Sequence, residues 1–145
     1  MKSKLMQDAN EKTFVVVFDP GEEVVDGLLR FAKAEKISGA QVTAIGAFQD
    51  VTLGFFEIAK KDYKRIVIPE QVELMSLVGN IASDENGEPK LHAHVVVGKA
   101  DGSAFGGHLL EAHVRPTLEV VLIESASHLR RKVHRELGVA LLDLS

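Results

Sequence analysis

Residues 71–110 read QVELMSLVGN IASDENGEPK LHAHVVVGKA DGSAFGGHLL. The stretch contains three β-rich runs, which Asn86-Gly87 and Asp101-Gly102 separate. Both dipeptides tolerate positive φ at the two central positions of a type I′ turn, the turn that joins neighbouring antiparallel strands. The stretch therefore predicts a three-stranded antiparallel meander.

On either side of the meander, the pattern predicts one helix and further strands. Residues 13–18 are β-branched and aromatic, which favours a strand covered on both faces. Asp19-Pro20 then supplies a helix cap and a first helical residue, and the apolar residues that follow have helical spacing. Short β-rich runs are expected at 40–47, 51–58, 63–68, 71–82, 90–98, 103–110 and 117–124. The predicted fold class is α+β: a mainly antiparallel β-sheet with one or two packed helices, in a single domain.

The two ends of the chain differ from this pattern. Residues 1–12 are polar and aperiodic, which predicts a flexible leader before a domain at 13–124. Residues 125–145 are expected to form a C-terminal helix and tail. Arg130, Arg131, Lys132 and Arg135 cluster there, and such residues are common near helix ends.

Composition narrows the function classes. The 145 residues are 46% hydrophobic and carry a net charge of −4, which excludes disorder for most of the chain and disfavours non-specific binding to the DNA backbone. Cysteine is absent, so disulfides, thiolate metal ligands and a cysteine nucleophile are excluded. No apolar run approaches the roughly 20 residues that span a bilayer, and a cytoplasmic protein is expected.

Three histidines in the meander could carry chemistry. His92 and His94 are two positions apart in a predicted strand, so their side chains project from one face. His108 lies on the next strand and would be the third ligand. Three imidazoles with one open position are typical of a catalytic rather than a structural zinc site.

The register of the hairpin decides whether His108 can join the other two. A strict two-residue turn at Asp101-Gly102 would place His108 opposite Val95, on the wrong face. One extra residue, from a bulge at Gly106-Gly107 or an odd-length loop, would place His108 on the face of His94. The sequence therefore predicts a local irregularity within residues 99–107.

Plainer interpretations remain open. A His-x-His pair on a strand is often partly buried and hydrogen-bonded without a metal. Glu111 is either a fourth ligand or acid/base group, or an ordinary solvated carboxylate, and parity points His113 away from the site. His128 and His134 are interpreted as surface residues of the tail, and no phosphate-binding loop or serine nucleophile motif is present.

Several segments, taken in order, resemble one family. These are residues 73–82, 91–95, 101–102, 106–110 and 116–120, together with 20–22, 45–47 and 51–54 earlier in the chain. They are similar to the PPC domain, the plant and prokaryote conserved domain that in plants is joined to AT-hook motifs. The resemblance covers roughly residues 13–124, and Gly-Gly-His-Leu-Leu at 106–110 is its most specific part.

This resemblance implies a largely antiparallel sheet assembled as a homotrimer. It also implies a zinc-like divalent metal held by His92, His94 and His108. The leading hypothesis is therefore a trimeric metal-binding protein whose open metal position takes a small ligand. Plant members are linked to DNA, but their contact with AT-rich DNA belongs to an Arg-Gly-Arg-Pro motif that is absent here. Whether the site is catalytic is not decided by the resemblance.

Three alternatives accompany the metal-binding hypothesis. The first is a DNA-binding transcriptional regulator that collects the basic tail residues of three subunits into one patch. The second is a cupin-type barrel, but the spacing around His92 and His94 fails to match it. The third is an oligomerisation module with no metal. Alternating apolar residues on a strand could face either the core or a subunit interface, and the pattern does not distinguish these two surfaces.

Overall fold

The computed structural model describes residues 1–8, 11–125 and 128–145. Within them the chain forms one helix and nine strands. They are, in chain order, β1 (Lys2–Asp8), β2 (Lys12–Phe18), α1 (Val24–Ala34), β3 (Gly39–Glu57), β4 (Asp62–Ile68), β5 (Val72–Ser83), β6 (Pro89–Gly98), β7 (Ala104–Glu124), β8 (Arg130–His134) and β9 (Val139–Asp143).

A single, almost entirely antiparallel sheet organises the molecule. Its strand order is β1-β2-β7-β3-β5-β8-β9, with β4 paired to β3 and β6 paired to both β5 and β7. The predicted meander is therefore confirmed as β5, β6 and β7. The predicted α+β class is confirmed as well, with one short helix covering the sheet.

Two strands are longer than the sequence pattern predicts. The predicted runs 40–47 and 51–58 fall in the single strand β3, which ends at residue 57, and the runs 103–110 and 117–124 fall in β7, which begins at residue 104. Register shifts between β3 and β7 accommodate the interruptions, including the one around Pro116. A residue at a shift needs no ladder hydrogen bond, so proline is tolerated inside the strand rather than only at its start.

The helix was predicted correctly in kind, but its start was placed too early. Gly21 has φ +86° and donates its N–H to the Val114 carbonyl, so the helix cannot run through this position. The N-cap is Glu23, whose carboxylate accepts the N–H groups of Val25 and Asp26. Asp19 instead accepts a hydrogen bond from the amino terminus at 2.8 Å.

Helix α1 closes the core through one apolar face. Val24, Leu28 and Ala32 are fully buried on it. Phe31 packs edge-on against Phe14 of β2, with ring centroids 5.3 Å apart. Interior-facing residues of β2, β3, β5, β6 and β7 complete a single core, as expected for one domain.

Both chain ends differ from the expectation. A flexible leader was predicted at residues 1–12, but Lys2–Asp8 forms β1 beside β2. The sequence did not reveal this strand, because backbone pairing to a free strand edge requires no apolar pattern. The predicted C-terminal helix is also wrong for the described residues: β8 and β9 form a hairpin turned at Gly138, which has φ +75°. Residues 126–127, which the predicted helix includes, lie outside the described residues. The boundaries of the 13–124 domain stay predictions.

Candidate metal centre

The loop between β6 and β7 brings His108 onto the histidine face. Lys99 N–H bonds to the Ser103 carbonyl and Gly102 N–H to the Lys99 carbonyl, so three residues form the turn, and Gly102 adopts φ +83°. His94 therefore lies directly opposite His108. The predicted irregularity is confirmed, although the turn is a three-residue loop closed by a left-handed glycine, not the type I′ turn.

The same loop type joins β5 to β6. Gly87 N–H bonds to the Asp84 carbonyl, and Gly87 has φ +82°. The Asp84 carboxylate accepts the N–H groups of Asn86 and Glu88, at 2.9 and 3.0 Å. The type I′ assignment at Asn86-Gly87 is therefore also wrong, because the Asp84 side chain stabilises the longer loop.

His92, His94 and His108 come together as a compact group. One ring nitrogen from each lies within 4.8 Å of the other two. The Nε2 atoms of His92 and His94 are 3.2 Å apart. The distances between ring centroids are 5.1 Å from His92 to His94, 5.2 Å from His92 to His108 and 5.7 Å from His94 to His108. Such a triangle of imidazoles can hold one metal ion.

An aromatic ring that sequence reasoning missed supports this group. Tyr63 of β4 stacks on His108, with ring centroids 4.6 Å apart and planes at 25°. Gly54 makes room for it, because a Cβ at this position would lie 2.7 Å from Tyr63 Cδ1. Tyr63 is 45 residues from His108 in the chain, so no local pattern could have revealed the contact.

Burial favours the neutral form of His92 and His108. Burial is the largest cause that lowers the pKa of His108 to about 4, and electrostatic interactions with His92, His94 and Arg131 act in the same direction. Burial, then Arg131 and His94, also lowers the pKa of His92. A neutral imidazole has a free lone pair, which is the form that binds a metal.

One nitrogen of the group also lacks a partner. His108 Nδ1 is buried and has no hydrogen bond within the described part of the chain. Buried polar atoms without partners are rare in folded proteins, and each calls for an explanation such as an ion. The donor set therefore fits a divalent cation.

Arg131 is the second residue that sequence reasoning missed. It was interpreted as part of an exposed basic helix, but it lies on β8 with only 6% of its surface exposed. Its guanidinium donates to Oδ1 of Asn80, which is opposite His92 in the β5–β6 register. The contact spans 51 residues, and nothing in the local sequence distinguishes Arg131 from its exposed neighbours.

A surface cleft reaches two of the three histidines, His92 and His94. It has a volume of about 410 Å³ and is lined by Val78, Gly79, Asn80, His92 and His94. A larger cavity of about 640 Å³ includes Arg131 and residues of mixed charge, but none of the three histidines. The larger cavity is not the candidate site, because only the smaller cleft is lined by residues of the histidine group, His92 and His94.

The remaining candidates lie outside the histidine group. Glu111 is exposed and lies 3.5 Å from Arg65, as expected for a solvated carboxylate. His113 hydrogen-bonds to Asp50 at 2.8 Å, consistent with the parity argument that points it away. His128 bonds to Ser38, and His134 is exposed on β8.

The helix α1 is too short to cross a membrane, and no other helix occurs among the described residues. The cytoplasmic location expected from the sequence stays a prediction.

Comparison with solved structures gives matches over nearly the whole chain. A plant- and prokaryote-conserved (PPC) protein from Pyrococcus horikoshii is 34% identical, with 98% of this chain and 94% of that one covered and a TM-score of 0.85. A "putative DNA-binding protein" from Bacteroides thetaiotaomicron is 31% identical, with 97% and 96% covered and a TM-score of 0.86. The metal-containing protein AF0104 from Archaeoglobus fulgidus is 29% identical, with 97% and 96% covered and a TM-score of 0.83.

Curated relatives match over a much smaller share of their own length. Bifunctional protein GlmU from a Synechococcus strain is 29% identical over 111 residues, which are 75% of this chain. The chain spans only 16% of that relative's length. The model of the family described as the Plants and Prokaryotes Conserved (PCC) domain matches residues 6–126. The chain thus belongs to the Plants and Prokaryotes Conserved domain family, the PPC family that its glycine and histidine motifs resemble.

Proposed function

We propose that this protein is a homotrimer that binds a divalent metal, with zinc as the favoured ion, through His92, His94 and His108. The observation that carries the proposal is the convergence of three imidazole nitrogens within 4.8 Å of one another. The lowered pKa values of His92 and His108 favour the neutral form of these two histidines, which is the form that binds a metal. The similarity to the metal-containing protein AF0104 supports the same function.

The donor set favours zinc. Imidazole suits zinc, copper, iron and nickel, whereas magnesium and calcium prefer oxygen ligands. In the described part of the chain, no carboxylate joins the histidine group. A zinc ion with three histidine ligands keeps an open position, where it would polarise a bound water or carbonyl group. The chain's own residues would hold the rings in place, through β6, β7 and the stacked ring of Tyr63.

The outward surface next to the histidines supports self-association. Exposed apolar side chains lie on four sheet strands: Ile45, Met75, Val78, Val96, Phe105, Val121 and Ile123. Val78 is 57% exposed and also lines the histidine cleft. Exposed apolar surface of this kind marks protein interfaces, so we place the subunit contacts beside the metal centre. Light scattering after gel filtration should give three times the 15.8 kDa chain mass, and a monomer mass would contradict the trimer.

Metal analysis of the purified protein tests the central proposal. We expect about one zinc ion per chain in the wild type after dialysis against zinc, and loss of most of it in His94→Ala, because three-histidine sites depend on every ligand. His94 is exposed, so this change should leave the fold intact. The matched control is His134→Ala, an exposed histidine outside the group. Equal zinc content in His94→Ala and the wild type would refute the assignment.

DNA binding is a second candidate function. The relative from Bacteroides supports it, and so does a further "putative DNA-binding protein" from Ralstonia eutropha that is 29% identical. In this chain Arg130, Lys132 and Arg135 are exposed on the C-terminal hairpin and its turn. The net charge of −4 opposes the idea. Binding should be visible as a mobility shift on AT-rich DNA at low salt and should weaken steeply with added salt; no shift at low salt would remove this candidate.

A further inference from the structure

Arg131 is a buried cation without a counter-charge. Its surface is 6% exposed, and no carboxylate forms an ion pair with it among the described residues. The guanidinium donates to the neutral amide oxygen of Asn80. Its Nε is buried and has no hydrogen-bond partner within the same described part. Burying a charged group lowers the stability of the fold unless a counter-charge or further hydrogen bonds compensate it.

The charge of Arg131 persists despite burial. Burial lowers the pKa of the guanidinium, and no neighbouring carboxylate raises it. Arginine nevertheless stays protonated in proteins, because its pKa begins far above the physiological range. The fold therefore keeps an uncompensated positive charge in a fixed position.

Arg131 does not itself line the histidine cleft, but its hydrogen-bond partner Asn80 does. Asn80, which receives the bond from Arg131, is opposite His92 in the sheet and lines the cleft together with His92 and His94. No carboxylate belongs to the cleft lining. A divalent metal on the histidines would add two further positive charges to the same place.

We propose that the cleft binds a small carboxylate anion, held between the metal on the three histidines and the guanidinium of Arg131. This inference rests on the proposed metal site. One guanidinium fork matches the two oxygens of a carboxylate, and the anion supplies the negative charge that the fold omits. Val78 and Gly79 form the rest of the lining, which favours a small organic acid with a short apolar body.

Cobalt-loaded protein allows metal binding and anion binding to be measured separately. Co²⁺ replaces zinc at histidine sites, and its visible absorption bands change when a ligand enters its coordination sphere. We would first determine cobalt stoichiometry by elemental analysis, and then titrate sodium acetate at constant ionic strength. The wild type should show saturable changes in the cobalt bands.

Four variants test the role of Arg131. Arg131→Met removes the charge at similar volume and should weaken acetate binding at least tenfold, while Arg131→Lys, which keeps the charge but loses the fork, should fall between Met and the wild type. Asn80→Asp places a carboxylate against Arg131 with almost no change in size, and should weaken acetate binding as much as Arg131→Met does. It keeps the proposal testable if Arg131→Met folds poorly. Arg130→Met changes an exposed neighbour on the same strand and should bind acetate like the wild type.

The outcomes separate the two proposals. Protein that binds no cobalt contradicts both the metal site and the anion site. Protein that binds cobalt but shows no acetate-dependent spectrum contradicts only the carboxylate proposal, as does equal acetate affinity in Arg131→Met. Phosphate, tested as a second probe, should bind more weakly than acetate; tighter phosphate binding would overturn the assignment to carboxylates. An anion held only in the larger cavity would leave the spectrum unchanged and would also overturn it.

Discussion

Replacing Gly79 with alanine should weaken both the fold and the metal centre. Gly79 of β5 is opposite Ala93 of β6, between the two histidines of that strand. An added Cβ would lie 2.3 Å from the His92 carbonyl oxygen and 2.8 Å from Ala93 Cα. Both are backbone atoms, so no side-chain rotation relieves the overlap and the strands must separate locally. Overpacking of this kind costs about 1–3 kcal/mol.

An opposing effect sets the net magnitude. Alanine in a strand is favoured over glycine by about 0.5–1 kcal/mol, because an unfolded chain with alanine has less conformational freedom to lose on folding. With central values of about 2 kcal/mol for the overlap and about 0.75 kcal/mol for the gain, Gly79→Ala should lower the free energy of unfolding by about 1 kcal/mol. Gly98→Ala is the matched control: it lies on β6, and its Cβ would meet only the Met75 side chain, at 3.5 Å. That control should be neutral or slightly stabilising.

Urea denaturation measures both variants at one protein concentration, because the stability of the proposed trimer would depend on concentration. Zinc titration of the folded proteins then reports the site. The separation of β5 and β6 should displace His92 and His94 relative to His108, so zinc affinity should fall at least tenfold in Gly79→Ala and remain unchanged in Gly98→Ala. Equal unfolding midpoints and equal zinc affinities for the two variants would refute the reasoning.

Two further predictions concern the helix and the pH dependence of stability. Glu23→Ala should destabilise the protein by about 1–2 kcal/mol in urea denaturation. The Glu23 carboxylate caps α1 and also accepts the Ala112 N–H of β7, so the change removes both contacts. An unchanged unfolding midpoint would show that the cap is dispensable. The hydrogen bond to Asp50, more than the opposing effect of burial, raises the pKa of His113 above its ordinary value of 6.5. Because the pKa of His113 is higher in the folded state than in the unfolded state, its protonation stabilises the fold at pH values below the unfolded-state pKa. This stabilisation is lost as the pH rises through the folded-state pKa. His113→Gln should therefore lose more stability at about pH 5.5 than at about pH 8.5, and equal losses in thermal unfolding at the two pH values would contradict the ion pair.

Local sequence was sufficient for the central strands and the histidine group. Alternation with period two places His92 and His94 on one face whatever surrounds them. Parity also required an extra residue before His108 could join them, and the three-residue loop closed by Gly102 supplies it. The type of that loop was missed, because hydrogen bonds between the two strand ends, rather than the Asp-Gly pair alone, select it.

Only the tertiary structure decided what surrounds the histidines. Lys2–Asp8 is a strand because β2 offers it a free edge, and the C-terminal residues form a hairpin because β5 and Gly138 direct them there. Arg131 and Tyr63 reach the site from distant parts of the chain, through contacts that leave no trace in local composition. Periodicity records which face a side chain occupies on its own strand. Which strands become neighbours depends on the packing of the whole sheet, and that packing brings a buried cation and an aromatic ring to the strands that carry the three imidazoles.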